Sequence, residues 1–245
     1  MTIAFFGATG GCANACLTYS LKNNFKCRAL ARNPEKLRSM LEEQGLDQTS
    51  IDSNLTIVEG SIEDVNSIVS TIKDATHVVS GVGSTPKLQM SLTTPVTIVN
   101  PTVCEAFANN LTEAVHRIGA SEPPSLAVVS TTGISSGPED VPFGLRWLYH
   151  IALKTPHADK RKMEKTVKST SIFSRVVVVR ASLLKGTHLI SSGDDDIDKV
   201  LRVGTEKQPE VGYAVKRANV GRWIYERFIK SDEIPKGHSV YTLTE

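Results

Sequence analysis

The sequence predicts an α/β protein in which helices cover both faces of a doubly wound parallel sheet. Three observations support this class: short apolar runs alternate with amphipathic stretches, capping signals flank several of those stretches, and the first apolar run leads into a glycine-rich turn. Successive strand–helix–strand units require right-handed crossovers between parallel strands. At 245 residues the chain is long enough for one sizeable core, so we expect a single domain over residues 1–245.

Six apolar runs predict the buried strands. They are rich in Val, Ile and Leu, as strands covered on both faces should be. The predicted strands are residues 3–6, 27–31, 55–58, 77–80, 126–130 and 175–180.

Local signals predict where the intervening helices begin and end. Asn-Pro pairs and a capping-box-like SIED predict N-terminal caps, and glycines predict C-terminal caps. These signals are Asn33 with Pro34, Asn100 with Pro101, residues 61–64, Gly45 and Gly119.

The composition excludes several classes of function. The formal net charge is +2, from 28 Lys and Arg against 26 Asp and Glu, and no basic run stands out, so neither nucleic acid nor a membrane surface is an expected partner. The N-terminal apolar run is too short for a signal peptide and no stretch is long enough to span a membrane, so we expect a cytoplasmic protein.

The cysteines indicate packing rather than chemistry. Cys12, Cys16, Cys27 and Cys104 are too sparse for a disulfide framework. Cys12 and Cys16 have a helical spacing that could hold a metal, but no His or acidic residue adjoins them, so we expect reduced thiols and no metal site.

Three irregular segments interrupt the alternation of strands and helices. Residues 83–96 and 133–142 follow the fourth and fifth predicted strands, at the edge where open α/β sheets bind ligands, and are candidate pocket walls. Residues 185–198 predict an exposed loop whose acidic tip, residues 193–196, is solvated.

The turn GATGGCA has the spacing of a phosphate site. Gly7 lets the chain turn, Gly10 lets the backbone approach a ligand, and Ala13 permits close packing of a helix predicted over residues 11–23. Together with Thr9 and Gly11, these residues would place a pyrophosphate on free N–H groups at a helix N-terminus.

The order of motifs resembles the atypical short-chain dehydrogenase/reductases, specifically the NmrA-like, NAD(P)H-binding group. The motifs are GATGGCANA with RALARNPEKL, VEGSIED, VSGVG, STTG, DKRKME and VRASLLKG. The resemblance covers most of the chain and implies a Rossmann-type fold with a small C-terminal substrate-binding region. Residues 1–155 would form mainly the nucleotide-binding core, and residues 181–225 would help to cover the substrate pocket, through a strand at 211–213 and a helix at 217–225.

The charge after the second strand favours NADP(H) over NAD(H). NAD-binding folds place an acidic residue there to hold ribose hydroxyls, whereas this chain has Arg32, with Arg28 on the same strand face. A guanidinium suits a 2′-phosphate. The alternative is that Arg32 is a surface cation preceding the cap Asn33.

The resemblance also indicates the remaining cofactor contacts. Ser61 stands where the family often has an Asp near the adenine, and Ile62 follows it. Gly81 and Gly83 would let the fourth strand approach the nicotinamide half.

The same resemblance implies a serine and a Tyr-x-x-x-Lys pair for catalysis. Ser130 fills the serine position, and Lys160, followed four residues later by Glu164, fits the lysine. The residue four before Lys160 is Pro156, so the tyrosine acid is missing.

Two residues could replace that acid. Tyr149 and Lys154 are five apart and would point about 140° apart on a helix, so they do not form the dyad. Tyr149 is expected in a pocket wall or the core with Trp147, and a proton-donor role is the alternative. His157, at the start of the Lys160 helix, is the other candidate, and the alternative is that it is a solvent-exposed cap residue.

These features predict an NADPH-dependent reductase that transfers hydride to a conjugated or quinonoid small molecule. The resemblance includes oxidoreductases of aromatic polyketide pathways, so secondary metabolism is an expected setting. Two alternatives remain: a non-enzymatic NAD(P)-binding redox sensor of the NmrA-like type, and a non-redox isomerase or cyclase on the same fold. The substrate's identity and any homo-oligomer are left open.

Overall fold

The computed structural model describes residues 1–84, 86–88, 96–147, 149, 153–231 and 233–245, with the backbone alone for 86–88 and 96–98. The strands are β1 (Thr2–Phe6), β2 (Lys26–Ala31), β3 (Leu55–Glu59), β4 (His77–Ser80), β5 (Pro86–Leu88), β6 (Val96–Ile98), β7 (Ser125–Thr131), β8 (Arg175–Ala181), β9 (Leu183–Lys185), β10 (Arg202–Thr205), β11 (Ala214–Lys216) and β12 (Gly237–Thr244). The helices are α1 (Gly11–Lys22), α2 (Pro34–Glu43), α3 (Gln48–Asn54), α4 (Val65–Ile72), α5 (Val103–Ile118), α6 (Lys154–Lys168), α7 (Ile197–Val200) and α8 (Arg217–Trp223), and α8 continues into a π-helical stretch, Ile224–Ile229.

One eight-stranded sheet organises the chain. Its order is β10-β12-β8-β7-β4-β1-β2-β3, and every neighbouring pair is parallel except β10 with β12. Two small two-stranded sheets, β9 with β11 and β5 with β6, lie outside it. The doubly wound parallel sheet predicted from the sequence is confirmed.

Alternating side chains of the central strands supply two cores. Phe5 belongs to the core that also contains residues of α1, α2 and the π-helical stretch, whereas Phe6 belongs to the core formed with α4, α5 and α6. Successive strand residues point to opposite faces, so one strand serves both cores. Helices cover both faces, so ligands of such a sheet bind at the ends of its strands. We call the side formed by the carboxyl ends of the parallel strands the carboxyl edge, and the opposite side the amino edge.

All six predicted strands are present, with ends that differ by at most one residue. Asn33 caps α2 by accepting a 2.9 Å hydrogen bond from the Lys36 N–H. Gly45 and Gly119 have positive φ angles of 78° and 57° just after their helices, as predicted.

Two predicted N-caps were wrong. Asp64, rather than Ser61, caps α4, because its carboxylate accepts from the N–H groups of Asn66 and Ser67. Thr102 precedes the first residue of α5, and the Asn100 side chain accepts from the Thr102 N–H. In both cases the predicted cap residue lies two or three residues before the true one, because a turn separates the predicted residue from the helix.

The C-terminal region differs from the sequence expectation in two ways. The late strand is β11 (Ala214–Lys216) rather than residues 211–213, and it pairs with β9 outside the main sheet. Strands β10 and β12 were not predicted, because polar residues interrupt their apolar pattern. The predicted acidic tip is also partly fixed, since Asp194 accepts from Lys216 and Asn219.

Parts of two predicted segments lie outside the described residues: 85 and 89–95 in the first pocket-wall segment, and 148 and 150–152 near Tyr149. Among the described residues no helix is long and apolar enough to cross a membrane, and no group of His, Cys, Asp or Glu could hold a metal. All four cysteines are buried free thiols.

Candidate functional site

The glycine turn between β1 and α1 is built as a backbone cradle. Gly7 has a φ of +69°, and a methyl group there would lie 2.7 Å from the carbonyl carbon of Gly81. The Gly10 N–H donates a 2.8 Å hydrogen bond to the Gly7 carbonyl, which closes the turn. The first turn of α1 has neither an acidic residue nor a side-chain cap. Its N–H groups, at the positive end of the helix dipole, are therefore available to an anion.

Close packing of α1 against the end of β4 depends on small residues. A methyl group at Gly81 would lie 2.7 Å from the Ala13 side chain, whereas one at Gly83 would meet no atom of a described residue within 4 Å. Gly81 therefore serves helix packing, as was predicted for Ala13.

A buried amide pair that the sequence analysis missed supports the turn. Asn14 donates to the Ala8 carbonyl at 2.9 Å and accepts from the Gln44 side chain at 2.9 Å. Gln44 also bonds the backbone of His188 and Ile190, at 2.7 and 2.8 Å. A chain segment near residue 190 is thereby tied to the glycine turn.

Arg32 lies exposed just beyond the carboxyl end of β2. It makes no hydrogen bond or ion pair with any residue that the structure describes. Strand β3 ends beside β2, so Ser61 and Ile62, which are partly buried, follow at the same edge of the sheet. An unpaired cation thus stands where the second phosphate was expected.

Arg28 does not join Arg32 there. Its guanidinium donates to the backbone carbonyls of Ser70 and Lys73, at 3.3 and 2.8 Å, at the C-terminal end of α4. That end of α4 lies toward the amino edge of the sheet, because the helix runs back from the carboxyl end of β3. The expectation that Arg28 assists a 2′-phosphate is therefore corrected: its partners are helix carbonyls.

Ser130, near the end of β7, belongs to a buried polar network. Its hydroxyl donates a 2.6 Å hydrogen bond to Glu164, and Glu164 accepts two further bonds from Arg180, at 3.1 and 2.7 Å. All three side chains are buried. The Ser130 proton therefore points into the protein.

Lys160 joins the ends of two neighbouring strands. Its ammonium group donates to the carbonyls of Val82, after β4, and Val129, in β7, at 2.8 and 2.7 Å. This cross-link fixes the spacing of the carboxyl edge at the middle of the sheet. Lys154, the alternative considered from the sequence, is exposed at the first residue of α6.

Tyr149 and His157 are brought together against Gly133. Their ring centroids lie 5.5 Å apart, and both residues are buried. A methyl group at Gly133, where φ is +81°, would lie 2.5 Å from Tyr149 and 2.9 Å from His157. Burial raises the pKa of the Tyr149 hydroxyl, although hydrogen bonding to the Thr132 side chain opposes that rise.

Asp140 fastens the loop after β7. One carboxylate oxygen accepts a 2.8 Å bond from the Gly133 N–H, and the other is buried without a hydrogen-bond partner among the described residues. Burial raises the pKa of this carboxyl group, opposed by the Gly133 bond and the charge of Arg180. Ile134 and Val141 are also buried, so the segment 133–142 is packed into the protein at both ends.

Large apolar side chains are exposed near this cluster. Phe143 and Trp147 precede Tyr149 in the chain, and the Tyr149 hydroxyl lies close to the Leu183 N–H. Leu183 is exposed and pairs with Ala214, which places it next to exposed Tyr213. These side chains offer apolar surface beside the carboxyl edge.

The predicted site residues therefore form two groups on the carboxyl side of the sheet. Gly7, Gly10, Gly11 and exposed Thr9 form the glycine turn, with Arg32, Ser61 and Ile62 farther along the edge. Ser130, Tyr149, His157 and Lys160 surround the ends of β4 and β7. The amide pair and the contacts of Arg180 were missed because their partners are distant in sequence, and Asp140 was missed because the fold of its loop sets its bond to Gly133.

Comparisons with known proteins agree with this geometry. A family profile described as NAD(P)H-binding matches residues 7–229. Reductase pytE from Aspergillus terreus is 38% identical over 246 residues, covering 94% of this chain and 92% of the relative. Oxidase pynE from Aspergillus niger is 37% identical over 265 residues, covering 93% and 92%.

Solved structures share the fold at low sequence identity. A short-chain dehydrogenase/reductase from Veillonella parvula in complex with NADP has a TM-score of 0.71 at 16% identity, covering 100% of this chain and 94% of that one. ChuY, an anaerobillin reductase from Escherichia coli O157:H7, has a TM-score of 0.68 at 15% identity, covering 100% and 97%.

Proposed function

Because the chain belongs to the NAD(P)H-binding family, we propose that it is an NADPH-dependent reductase that transfers hydride to a conjugated or quinonoid small molecule. Relatives named a reductase and an oxidase agree with redox chemistry on a nicotinamide cofactor. The preference for NADPH and the class of acceptor are the specific parts of the proposal.

The NADPH assignment rests on Arg32, which pairs with no described residue and lies at the edge that also holds the glycine turn. The turn supplies free N–H groups for the pyrophosphate, and Gly7 has no room for a side chain. Arg32 has no carboxylate to satisfy it among the described residues, so a 2′-phosphate can be bound by charge and by paired N–H donors.

We assign the nicotinamide half of the cofactor to the centre of the same edge, beside Lys160 and Gly83. When bound, the dihydronicotinamide ring supplies the hydride. Lys160 holds the ends of β4 and β7 at a fixed spacing, and no described residue crowds the Cβ position of Gly83 above them. These residues orient the ring rather than react with it.

The polar groups nearby favour an acceptor that needs little help with its proton. The Ser130 hydroxyl donates to Glu164, and the Tyr149 hydroxyl is buried with a raised pKa. A quinone or conjugated enone spreads the charge that the hydride delivers, so water can complete the protonation. Exposed Phe143 and Trp147 supply apolar surface for such a planar molecule, and residues 181–225 would cover it.

A calorimetric titration with NADPH, NADP⁺, NADH and NAD⁺ tests this proposal first, followed by the oxidation of NADPH in the presence of menadione. We expect NADPH to bind more tightly than NADH and menadione to consume NADPH. Preference for the oxidised forms without turnover would favour a redox sensor instead. If the protein binds the cofactor and converts a substrate but consumes no cofactor, an isomerase or cyclase would be favoured.

A further inference from the structure

Helices α1 and α8 lie side by side and run in the same direction. Gly221 approaches Ala15 and the Cys12 carbonyl so closely that a methyl group would lie 2.6 Å from each. One helical pitch beyond, the rings of Tyr19 and Tyr225 stack with centroids 5.8 Å apart. This alignment brings the first residue of α8, Arg217, beside the first residue of α1, Gly11.

The Arg217 side chain lies across Gly11. A methyl group at Gly11 would overlap the Arg217 side-chain carbons, so the glycine is what admits the arginine. One guanidinium nitrogen, Nη1, donates a 2.8 Å bond to the Gly186 carbonyl. An arginine has five N–H donors, so the others remain available at the mouth of the glycine turn.

Positive charge accumulates at this point without an anion to balance it. Burial raises the pKa of the Cys12 thiol, in the first turn of α1, to about 12, and the nearby charges of Arg217 and Lys160 oppose that rise. The first turn of α1 contains no acidic residue, and no carboxylate pairs with Arg217 among the residues that the structure describes. Two cations at the positive end of a helix repel one another unless an anion binds there.

We propose that Arg217 binds the pyrophosphate group of the cofactor, from the C-terminal part of the chain, opposite the backbone N–H groups of the glycine turn. This inference rests on the proposed function, because it takes the dinucleotide as the ligand. The bond to Gly186 holds the guanidinium over the turn, so the arginine is a preorganised binding residue.

Three nucleotides separate this role from a purely structural one. NADPH and 2′-phospho-ADP-ribose contain the pyrophosphate, whereas 2′-AMP carries the 2′-phosphate alone. We expect Arg217→Ala to weaken binding of the first two by about tenfold to a hundredfold, as for loss of a charge-assisted hydrogen bond, and to leave 2′-AMP binding within about twofold. Arg217→Lys, which keeps the charge, should lie in between.

Arg222→Ala is the matched control on the same helix. Arg222 bonds Glu226 and the carbonyls of Asp194 and Asp195, so its loss disturbs α8 without removing charge beside Gly11. It should shift the melting temperature and leave the relative affinities for the three nucleotides unchanged. Melting curves without nucleotide would confirm that each variant is folded.

The outcomes also separate this inference from the proposed function. Equal losses of affinity for all three nucleotides in Arg217→Ala, or no loss for any of them, would overturn the role of Arg217 while leaving the NADPH assignment intact. If the unaltered protein binds neither NADPH nor 2′-phospho-ADP-ribose, the proposed function fails, and the inference with it.

Discussion

The hydroxyl group of Ser130 donates a 2.6 Å hydrogen bond to the buried carboxylate of Glu164, which Arg180 also binds. The residue that sequence reasoning placed beside the substrate therefore directs its proton into the protein. Ser130 lies at the end of β7, as expected, but its hydroxyl group is bonded to the buried pair of Glu164 and Arg180.

Ser130→Ala should consequently reduce stability more than turnover. We expect a loss of about 1 kcal/mol in the free energy of unfolding, and a kcat for menadione reduction within about threefold of the unaltered protein. Glu164→Ala should cost more, about 3 kcal/mol, because Arg180 loses its buried partner and keeps only the 3.3 Å bond to the more exposed Glu206. Urea unfolding and steady-state kinetics measure both effects, and a hundredfold fall in kcat for Ser130→Ala would restore a catalytic role.

Arg32→Asp should change cofactor preference. The substitution places a carboxylate where a 2′-phosphate is expected, so NADPH affinity should fall by at least about tenfold, whereas NADH affinity should change little. Arg28→Met is the control, since Arg28 bonds helix carbonyls and its loss should lower the melting temperature without altering the NADPH to NADH ratio. Equal losses for both cofactors in Arg32→Asp would remove the 2′-phosphate assignment.

Gly81→Ala and Gly83→Ala separate helix packing from ligand access. A methyl group at Gly81 would clash with the Ala13 side chain. We therefore expect Gly81→Ala to lower the free energy of unfolding by about 1–3 kcal/mol through overpacking, and to lower the melting temperature with it. A methyl group at Gly83 meets no described residue within 4 Å, so the free protein should keep its stability. If Gly83→Ala weakens NADPH binding in calorimetry, the added methyl group occupies space that the bound cofactor needs. If the affinity for NADPH is unchanged, the nicotinamide binds elsewhere.

Lys160→Ala should impair cofactor binding or turnover, because it removes the link between Val82 and Val129 at the edge where the ring is proposed to lie. Lys154→Ala, at an exposed position, should do neither. Affinity for NADPH and kcat, measured on both variants, decide between the two lysines. The opposite pattern would support the Tyr149 and Lys154 pairing instead.

Asp140→Asn should alter the pH dependence of stability. Burial raises the pKa of Asp140, so the folded protein holds this proton more tightly than the unfolded chain does. The stability that the protonated form contributes is present below the unfolded pKa of about 3.9 and is lost as pH rises through the folded value. The asparagine variant does not titrate, so its melting temperature relative to the unaltered protein should increase as pH rises above about 4, and parallel curves would contradict this.

Local patterns were sufficient to predict the sheet and the turn. The six buried strands and the Gly7 to Ala13 turn depend on neighbouring residues, so hydrophobic period and glycine spacing identify them. The polar strand β12 and the caps Asp64 and Thr102 depend on a turn or on tertiary pairing, which a single sequence does not display.

Side-chain partners were the part that sequence could not supply. Gln44 bonds a carbonyl 144 residues away, and Lys160 bonds one 78 residues away. Arg28 was placed on the correct strand, but its guanidinium turns toward the end of α4 rather than toward the ligand edge. The choice among several hydrogen-bond acceptors within reach of a long side chain is made only by the folded structure.

Strand β12 lies between β10 and β8, so the main sheet is complete only after β12 has paired. Strand β12 follows every other strand in the chain, and Glu245, just after it, accepts from the Lys216 N–H and the Asn219 side chain at the start of α8. Until β12 pairs, β8 has one open edge and α8 lacks this anchor. Such a late, long-range closure is slow relative to local folding. Because Arg217 at the start of α8 is proposed to bind the cofactor, we expect nucleotide affinity to depend on the pairing of β12.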